Sequence, residues 1–270
     1  MAAESVKLLN VEIDNLTEEE LLSKLANGGV VYTPNIDHLS KLQTDAEFAR
    51  AYRAATFKVC DSKILMYAAR FLGTPIQEKL SGSDLLPAFC RHFRDDPDTR
   101  IFLLGGAEGV PEAARERINT AAGRELVVAA YSPPFGFERD PAECQKAVDL
   151  IRASGATVLA VGLGAPKQEK WIHTHRPLLP GVRTFLAVGA ALDFEAGNRP
   201  RSPRWMSEVG LEWLYRLSIE PQRLWRRYLV DGVPVLGLFL AQKFNRYQAP
   251  SVVGTIEVAQ QKQSKSLARC

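Results

Sequence analysis

Asp61 follows the run Phe57-Lys58-Val59-Cys60, so its carboxylate is expected to emerge at the C-terminal edge of a short strand. There it could act as a general base, taking a proton from an attacking hydroxyl. Aspartate is also a favoured helix N-cap, and position alone leaves both roles open. Thr33 and Asn35 flank Pro34 just past a second apolar run, Gly29 to Tyr32. They could face the same cleft as Asp61 or simply make the turn. Gly105 and Gly106 separate the run Arg100 to Leu104 from a helical segment. Glycines there either let backbone N–H groups approach an anionic ligand or permit a tight turn. Gly162-Leu163-Gly164-Ala165-Pro166-Lys167-Gln168-Glu169 opens like a dinucleotide fingerprint. Lys167 fills the place of the third glycine, however, and no acid ends the next apolar run, Arg183 to Val188. A nicotinamide-dependent oxidoreductase is therefore disfavoured. Gln168 and Glu169 open a helix at a strand's mouth, where they either reach a substrate or form a solvated first turn. Asp193, with Phe194, is expected to end the last core strand and to bind or cap there.

The C-terminal part is rich in cations. Arg199, Arg201, Arg204, Arg216, Arg223, Arg226 and Arg227 stand there, partly offset by Glu195, Glu208, Glu212 and Glu220. Arg223, Arg226 and Arg227, at i, i+3 and i+4, can share a helix face. Trp213, Leu214, Leu217, Leu224 and Trp225 accompany them. The set reads equally as a solvated basic face over buried aromatics, as a phosphate clamp, or as a surface resting on anionic lipid. Net charge over 270 residues is only +3, so bulk charge does not point to nucleic acid. Cys60, Cys90, Cys144 and Cys270 are far apart, and His38, His92, His173 and His175 make no HExxH spacing. Neither a metal site nor a disulfide framework is expected, and reduced thiols in a cytosolic protein are the default.

The elements that must position these residues alternate. Val6 to Ile13 reads as one strand, and Thr17-Glu18-Glu19-Glu20 as a capping box opening a helix through Leu25. A second box, Thr44-Asp45-Ala46-Glu47, opens a helix to about Ala55. Helices are also expected over Lys63 to Phe71, from Ser83 or Asp84 to Phe93, and over Val110 to Ala122, Pro141 to Ala153 and Lys167 to His175. Between them lie the apolar runs ending at Tyr32, Cys60, Leu104, Tyr131, Val161 and Val188. Continuous apolar strands alternating with helices predict an α/β fold: a mainly parallel, Rossmann-like sheet with helices on both faces. In such sheets ligands sit outside the carboxyl ends of the strands.

After Phe194 the texture changes. Residues 1–196 read as the α/β core, 197–247 as a basic, aromatic helical appendage near a membrane, and 248–270 as a disordered tail. Helical segments are expected over Arg204 to Ser218 and Pro221 to Val230, with Gly232 and Pro234 interrupting before the apolar Val235 to Ala241. The nearest candidate for a span, Val233 to Ala241, is about half of the roughly 20 residues needed to cross a bilayer, and the N-terminus has no signal-peptide pattern. A cytosolic protein that could lie on a membrane but not cross it is expected.

Several runs together resemble the WecG/TagA/CpsF glycosyltransferases: Thr33-Pro34-Asn35, Cys60-Asp61, Leu72-Gly73-Thr74-Pro75, Ser81-Gly82-Ser83-Asp84-Leu85, Phe102-Leu103-Leu104-Gly105-Gly106 and Gly162 through Ile172. Val188-Gly189-Ala190 through Asp193-Phe194, Gly210 through Leu217, Glu220 through Leu224, and Arg227-Tyr228-Leu229 complete the set. The resemblance implies a metal-independent, inverting transfer from a UDP-sugar donor to a polyprenyl-diphosphate-linked sugar acceptor, with no cofactor. By that likeness Asp61 is the base, with Thr33 and Asn35 beside it. Gln168 would bond the sugar, Asp193 and Lys79 would line the pocket, and Phe135 would contact the nucleotide base. Arg216, Arg223 and Arg227 would stabilise the leaving diphosphate, as a metal ion does elsewhere. The C-terminal segment would complete the site and touch an anionic membrane surface, and relatives that self-associate through the core make a homo-oligomer an expectation. Cys60-Asp61-Ser62, Lys79 in place of the usual arginine, and Ser132-Pro133-Pro134-Phe135-Gly136-Phe137 depart from the pattern. They leave N-acetylmannosamine, its uronic acid and glucose open as the donated sugar. The rival reading is a non-catalytic nucleotide-binding protein associated with a membrane.

Overall fold

Period-two burial on both sides of the central strands builds the sheet. Val31, Ile101, Leu103, Val158, Ala160 and Leu186 pack into one apolar cluster, while Val30, Tyr32, Phe102, Leu104, Leu159 and Phe185 pack into another on the opposite face. Strands buried on both faces pair in parallel beneath helices. The structure, a computed structural model, describes residues 4–199, 203, 206, 209–226 and 230–250. Its central sheet comprises β3 (Gly29–Tyr32), β4 (Phe57–Lys58), β5 (Ile101–Gly105), β6 (Val127–Tyr131), β7 (Val158–Gly162) and β8 (Thr184–Ala187). Their order is β4-β3-β8-β7-β5-β6, and every pairing is parallel. The expected α/β architecture is what forms.

The helices are α1 (Glu18–Leu25), α2 (Ile36–Lys41), α3 (Ala46–Arg53), α4 (Lys63–Leu72), α5 (Gly82–His92), α6 (Val110–Ala122), α7 (Pro141–Ser154), α8 (Lys167–His175) and α9 (Ala191–Glu195). Then come α10 (Glu212–Ile219), α11 (Pro221–Trp225) and α12 (Val233–Lys243). Beyond β5 the chain crosses outward through α6 to β6, whereas beyond β7 it crosses the other way through α8 to β8. The crevice between the ends of β5 and β7 is thus a topological switch point.

Four differences from the sequence expectations have local causes. The run Val6 to Ile13 is two strands, β1 (Ser5–Leu8) and β2 (Val11–Asp14), paired antiparallel apart from the main sheet. Leu9 turns the chain at φ 55, a left-handed conformation achieved without glycine. Helix α3 is capped by Asp45, whose side chain accepts from Phe48 N, rather than by Thr44. The short helix α2 follows β3 directly, capped by Asn35. Asp193 lies within α9 and does not end a strand, because Gly189 and Ala190 turn the chain into that short helix first.

The last helix belongs to the same packing. Val235 and Phe239 are buried against α2 and α4, a burial that contributes about 1.5–3 kcal/mol for each side chain. Gln242 fastens α12 to the hairpin, accepting from Leu9 N at 2.8 Å and donating to Lys7 O at 2.9 Å. Residues 251–270 of the expected tail lie outside the described residues.

Candidate active site

Strand β4 carries Asp61 to the edge of β3. Val59 N donates to Tyr32 O at 3.0 Å and Asp61 N to Pro34 O at 2.9 Å, so the two chains stay aligned past their regular pairing. Asp61 therefore lies between Thr33 and Asn35 along the neighbouring chain. On its other side Leu80 N donates to Cys60 O at 2.7 Å, which brings in the segment carrying Lys79. Helix α5 presses its first turn into the same corner: a Cβ on Gly82 would stand 3.3 Å from Thr33 Oγ1 and 3.2 Å from the carbonyl oxygens of Ala187 and Val188. Thr33, Asn35, Asp61 and Lys79 are brought together at the C-terminal edge of the sheet.

The alternative role for Asp61 is taken by its neighbour. Ser62 caps α4, its side chain accepting from Leu65 N at 3.4 Å. Asn35 does what turn chemistry allowed and caps α2, accepting from His38 N at 3.2 Å. Beside Asp61, burial pushes the Cys60 thiol up to about 12, with the Asp61 charge adding to the shift. Cys60 is thus a neutral thiol at ordinary pH and no nucleophile.

The C-terminal helices are fastened to this edge at two places. Lys79 Nζ pairs with Glu212 Oε2, the first residue of α10, at 3.4 Å. Next to that pair, Tyr67 Oη donates to Val209 O at 3.4 Å, and a Cβ on Gly210 would meet Lys63 Cβ at 2.9 Å. At the second place Arg199 spans Asp193 Oδ1, at 3.7 Å, and Glu220, between α10 and α11. So two predicted site residues, Lys79 and Asp193, are the core's attachments for the segment bearing the arginines. The side chains of Arg216 and Arg223, and Arg227 altogether, lie outside the described residues.

Gln168 proves more structural than its sequence position suggests. Its Oε1 accepts from Gly164 N at 3.2 Å and Gly189 N at 3.1 Å, stitching the loop after β7 to the loop after β8. Its Nε2 donates to Glu169 Oε1 at 2.9 Å. With 4% of its surface exposed, it has one amide hydrogen left for a ligand. Sequence reasoning missed Glu169 itself: it is fully buried, where a solvated first turn was the ordinary expectation. Arg199, Glu212 and Glu220 were legible only as charges in a basic segment. Phe135 stands fully exposed past β6, with Lys167 Nζ 4.7 Å from its ring centroid and paired to Glu138 at 2.6 Å.

Gly105 and Gly106 sit at the switch-point crevice, with φ of +110 and +82. A Cβ on Gly105 would lie 2.7 Å from Gly162 O, so this glycine is required by the close approach of β5 and β7 whatever binds there. Gly105→Ala combines left-handed strain with a backbone clash and is expected to destabilise the fold by about 2–4 kcal/mol. Urea denaturation measures it, and a midpoint equal to wild type would mean that the two strands separate freely.

Among the described residues no trio of His, Cys, Asp or Glu is placed to hold a metal ion, and no helix is long and apolar enough to cross a membrane. Over residues 6–249 the chain matches the glycosyl transferase WecG/TagA/CpsF family. It is 30% identical, over 75% of each chain, to the N-acetylglucosaminyldiphosphoundecaprenol N-acetyl-beta-D-mannosaminyltransferase of Bacillus spizizenii. It is 29% identical to the protein of the same name from Bacillus subtilis, over 80% of each chain. The Staphylococcus aureus protein of that name is 24% identical, over 85% of this chain and 89% of its own.

Proposed function

The chain belongs to the WecG/TagA/CpsF family of glycosyltransferases, and on that footing we propose that it moves N-acetylmannosamine from a UDP-sugar to an N-acetylglucosamine carried on polyprenyl diphosphate, with inversion and without a metal ion. The observation that carries this reading is the corner where Asp61, relieved of capping by Ser62, meets Thr33, Asn35 and Lys79, with the arginine-bearing segment fastened to Lys79. The relatives' names favour N-acetylmannosamine over its uronic acid or glucose.

In the proposed reaction an acceptor hydroxyl attacks the donor's anomeric carbon from the face opposite UDP. Asp61 takes the hydroxyl proton as the new glycosidic bond forms and the bond to the diphosphate oxygen breaks. Arg216, Arg223 and Arg227 meet the charge that develops on the departing UDP. The nucleotide lies along the switch-point crevice beyond Gly105 and Gly106, where backbone N–H groups are approachable, and Phe135 supplies a ring face for the base. Gln168 gives its remaining N–H to the sugar, and Asp193 lines the pocket while holding Arg199.

The same reading places the protein on the inner face of the plasma membrane. Val233, Leu236 and Leu240 of α12 and Phe244 just after it are exposed, and Lys243 stands 5.3 Å from the ring of Phe71 on α4. An apolar face edged by cations suits anionic lipid.

A panel of UDP-sugars with a short-chain polyprenyl-diphosphate N-acetylglucosamine, read by mass spectrometry in excess EDTA, tests the proposal. The expected product carries one added N-acetylmannosamine, and flotation of the protein on anionic vesicles is expected to fall with Leu236→Asp plus Leu240→Asp. Transfer that stops on chelation would remove metal independence, and no transfer from any UDP-sugar would remove the donor class.

A further inference from the structure

We infer that Glu169 is a positioning residue of the proposed transfer site, its carboxyl fixing the Gln168 amide and its main chain tying that amide to the strand that delivers Thr33. The inference rests on the transfer reading above. Glu169 Oε1 receives the Gln168 Nε2–H at 2.9 Å, and Gln168 Oε1 in turn receives the N–H groups of Gly164 and Gly189. The Glu169 carbonyl oxygen receives the hydroxyl of Tyr32 at 3.0 Å, and Tyr32 immediately precedes Thr33. One buried residue therefore links the ends of β3, β7 and β8, the three adjacent strands that carry Thr33, Gln168 and the loop at Gly189.

The second oxygen, Oε2, is buried and has no hydrogen-bond partner among the described residues. An ionised carboxylate in that setting would be costly, whereas a carboxylic acid needs only a proton there. The titratable and charged groups around it are Asp37 and Lys41 of α2, Tyr52 of α3 and Tyr32 of β3. Asp37 is ion-paired with Lys41, Tyr52 is bonded to His38 Nδ1, and Arg176 faces Tyr32. Burial is the main cause that raises the Glu169 carboxyl to about 7; Asp37 pushes the same way, while the Gln168 N–H, its own N–H and Lys41 oppose. The neutral acid accepts from Gln168 through its carbonyl oxygen and holds the amide in one orientation. Loss of the proton puts a second negative charge near Asp37 and pulls the Gln168 amide toward Glu169.

The sign follows from the raised value. The stabilisation is present in full below the ordinary carboxylate value of 4.5 and is lost as pH climbs through about 7. Activity is expected to fall along the same alkaline limb.

The test compares the full chain with Glu169→Gln and Glu169→Ala across that pH range. Glutamine copies the neutral acid: kcat is expected to stay within about three-fold of wild type, and the alkaline fall near 7 in both activity and melting temperature disappears. Alanine frees the Gln168 amide, and kcat is expected to drop roughly 10- to 100-fold with KM for the UDP-sugar little changed. Infrared spectroscopy, which needs no turnover, is expected to show a protonated-carboxyl stretch that Glu169→Gln removes. The inference is overturned if glutamine loses as much activity as alanine while both variants melt like wild type, if the alkaline fall survives in Glu169→Gln, or if the infrared band is missing. Absence of transfer from every UDP-sugar in wild type would count against the transfer reading instead, and the infrared band would still stand or fall by itself.

Discussion

Asp61→Asn is expected to lower transfer turnover by about 10²- to 10⁴-fold while UDP affinity stays within a few-fold of wild type. Asparagine has the same shape as aspartate but cannot accept the acceptor's proton, so only the step that needs a base is lost. The structural objection to such a variant, that it removes a helix cap, does not apply here. Ser62 caps α4, and Asp61 is held in the fold through its backbone N–H to Pro34 O at 2.9 Å, which the substitution leaves untouched. With that backbone bond, the Ser62 cap and the side-chain shape all kept, melting temperature is expected to stay near wild type. The measurement pairs UDP release in the presence of acceptor with calorimetric binding of UDP alone. Wild-type release by the variant would take the base role away from Asp61, and lost UDP binding would mean that its carboxylate supports the donor site rather than the proton transfer.

How much of this corner was legible in the sequence depends on the range of the contacts that make it. The strands were readable because continuous apolar runs such as Ile101–Gly105 and Val158–Gly162 are buried on both sides. Helices α6 and α8 fall where their periodicity and flanking glycines place them, over Val110–Ala122 and Lys167–His175. Short elements escaped: α2 and α9 offer fewer than two turns for a period to show, so Asn35 looked like a bare turn residue and Asp193 like a strand end. The hairpin of β1 and β2 escaped because Leu9 and Asn10 turn it without the glycine that normally marks such a turn. Candidate residues could be named one at a time from strand ends. Their meeting depends on β4 lying beside β3 and on Leu80 bonding Cys60 O, and no local pattern encodes either. Glu169 shows the opposite limit. A glutamate in a helix's first turn is ordinarily solvated, and only the surrounding α2, α3 and β3 make it a buried acid.

Replacing Arg216, Arg223 and Arg227 together with glutamine is expected to cost at least about 10³-fold in turnover, since removing a single preorganised donor from a developing anion typically costs 10²- to 10³-fold and such groups act as a unit. Glutamine stays polar but is shorter, lacks the guanidinium fork and removes the charge that would meet the diphosphate. The fold should survive, because α12 holds the chain's end to the core through Val235, Phe239 and Gln242. Lys79 and Glu212 also still fasten α10 beside Asp61. The variant separates the two sharp readings that the basic segment allowed from the start. A phosphate clamp predicts collapsed kcat with vesicle binding largely retained, because the exposed apolar face of α12 is unchanged. A lipid-facing surface predicts the reverse: flotation on anionic vesicles weakens by roughly 1 kcal/mol per lost charge, while transfer to a soluble short-chain acceptor continues. If kcat survives in solution, the leaving diphosphate must find its positive partner elsewhere. Lys79 is then a candidate among the described residues, released by Glu212 when the donor arrives, and Glu212→Gln would distinguish that case by raising donor affinity.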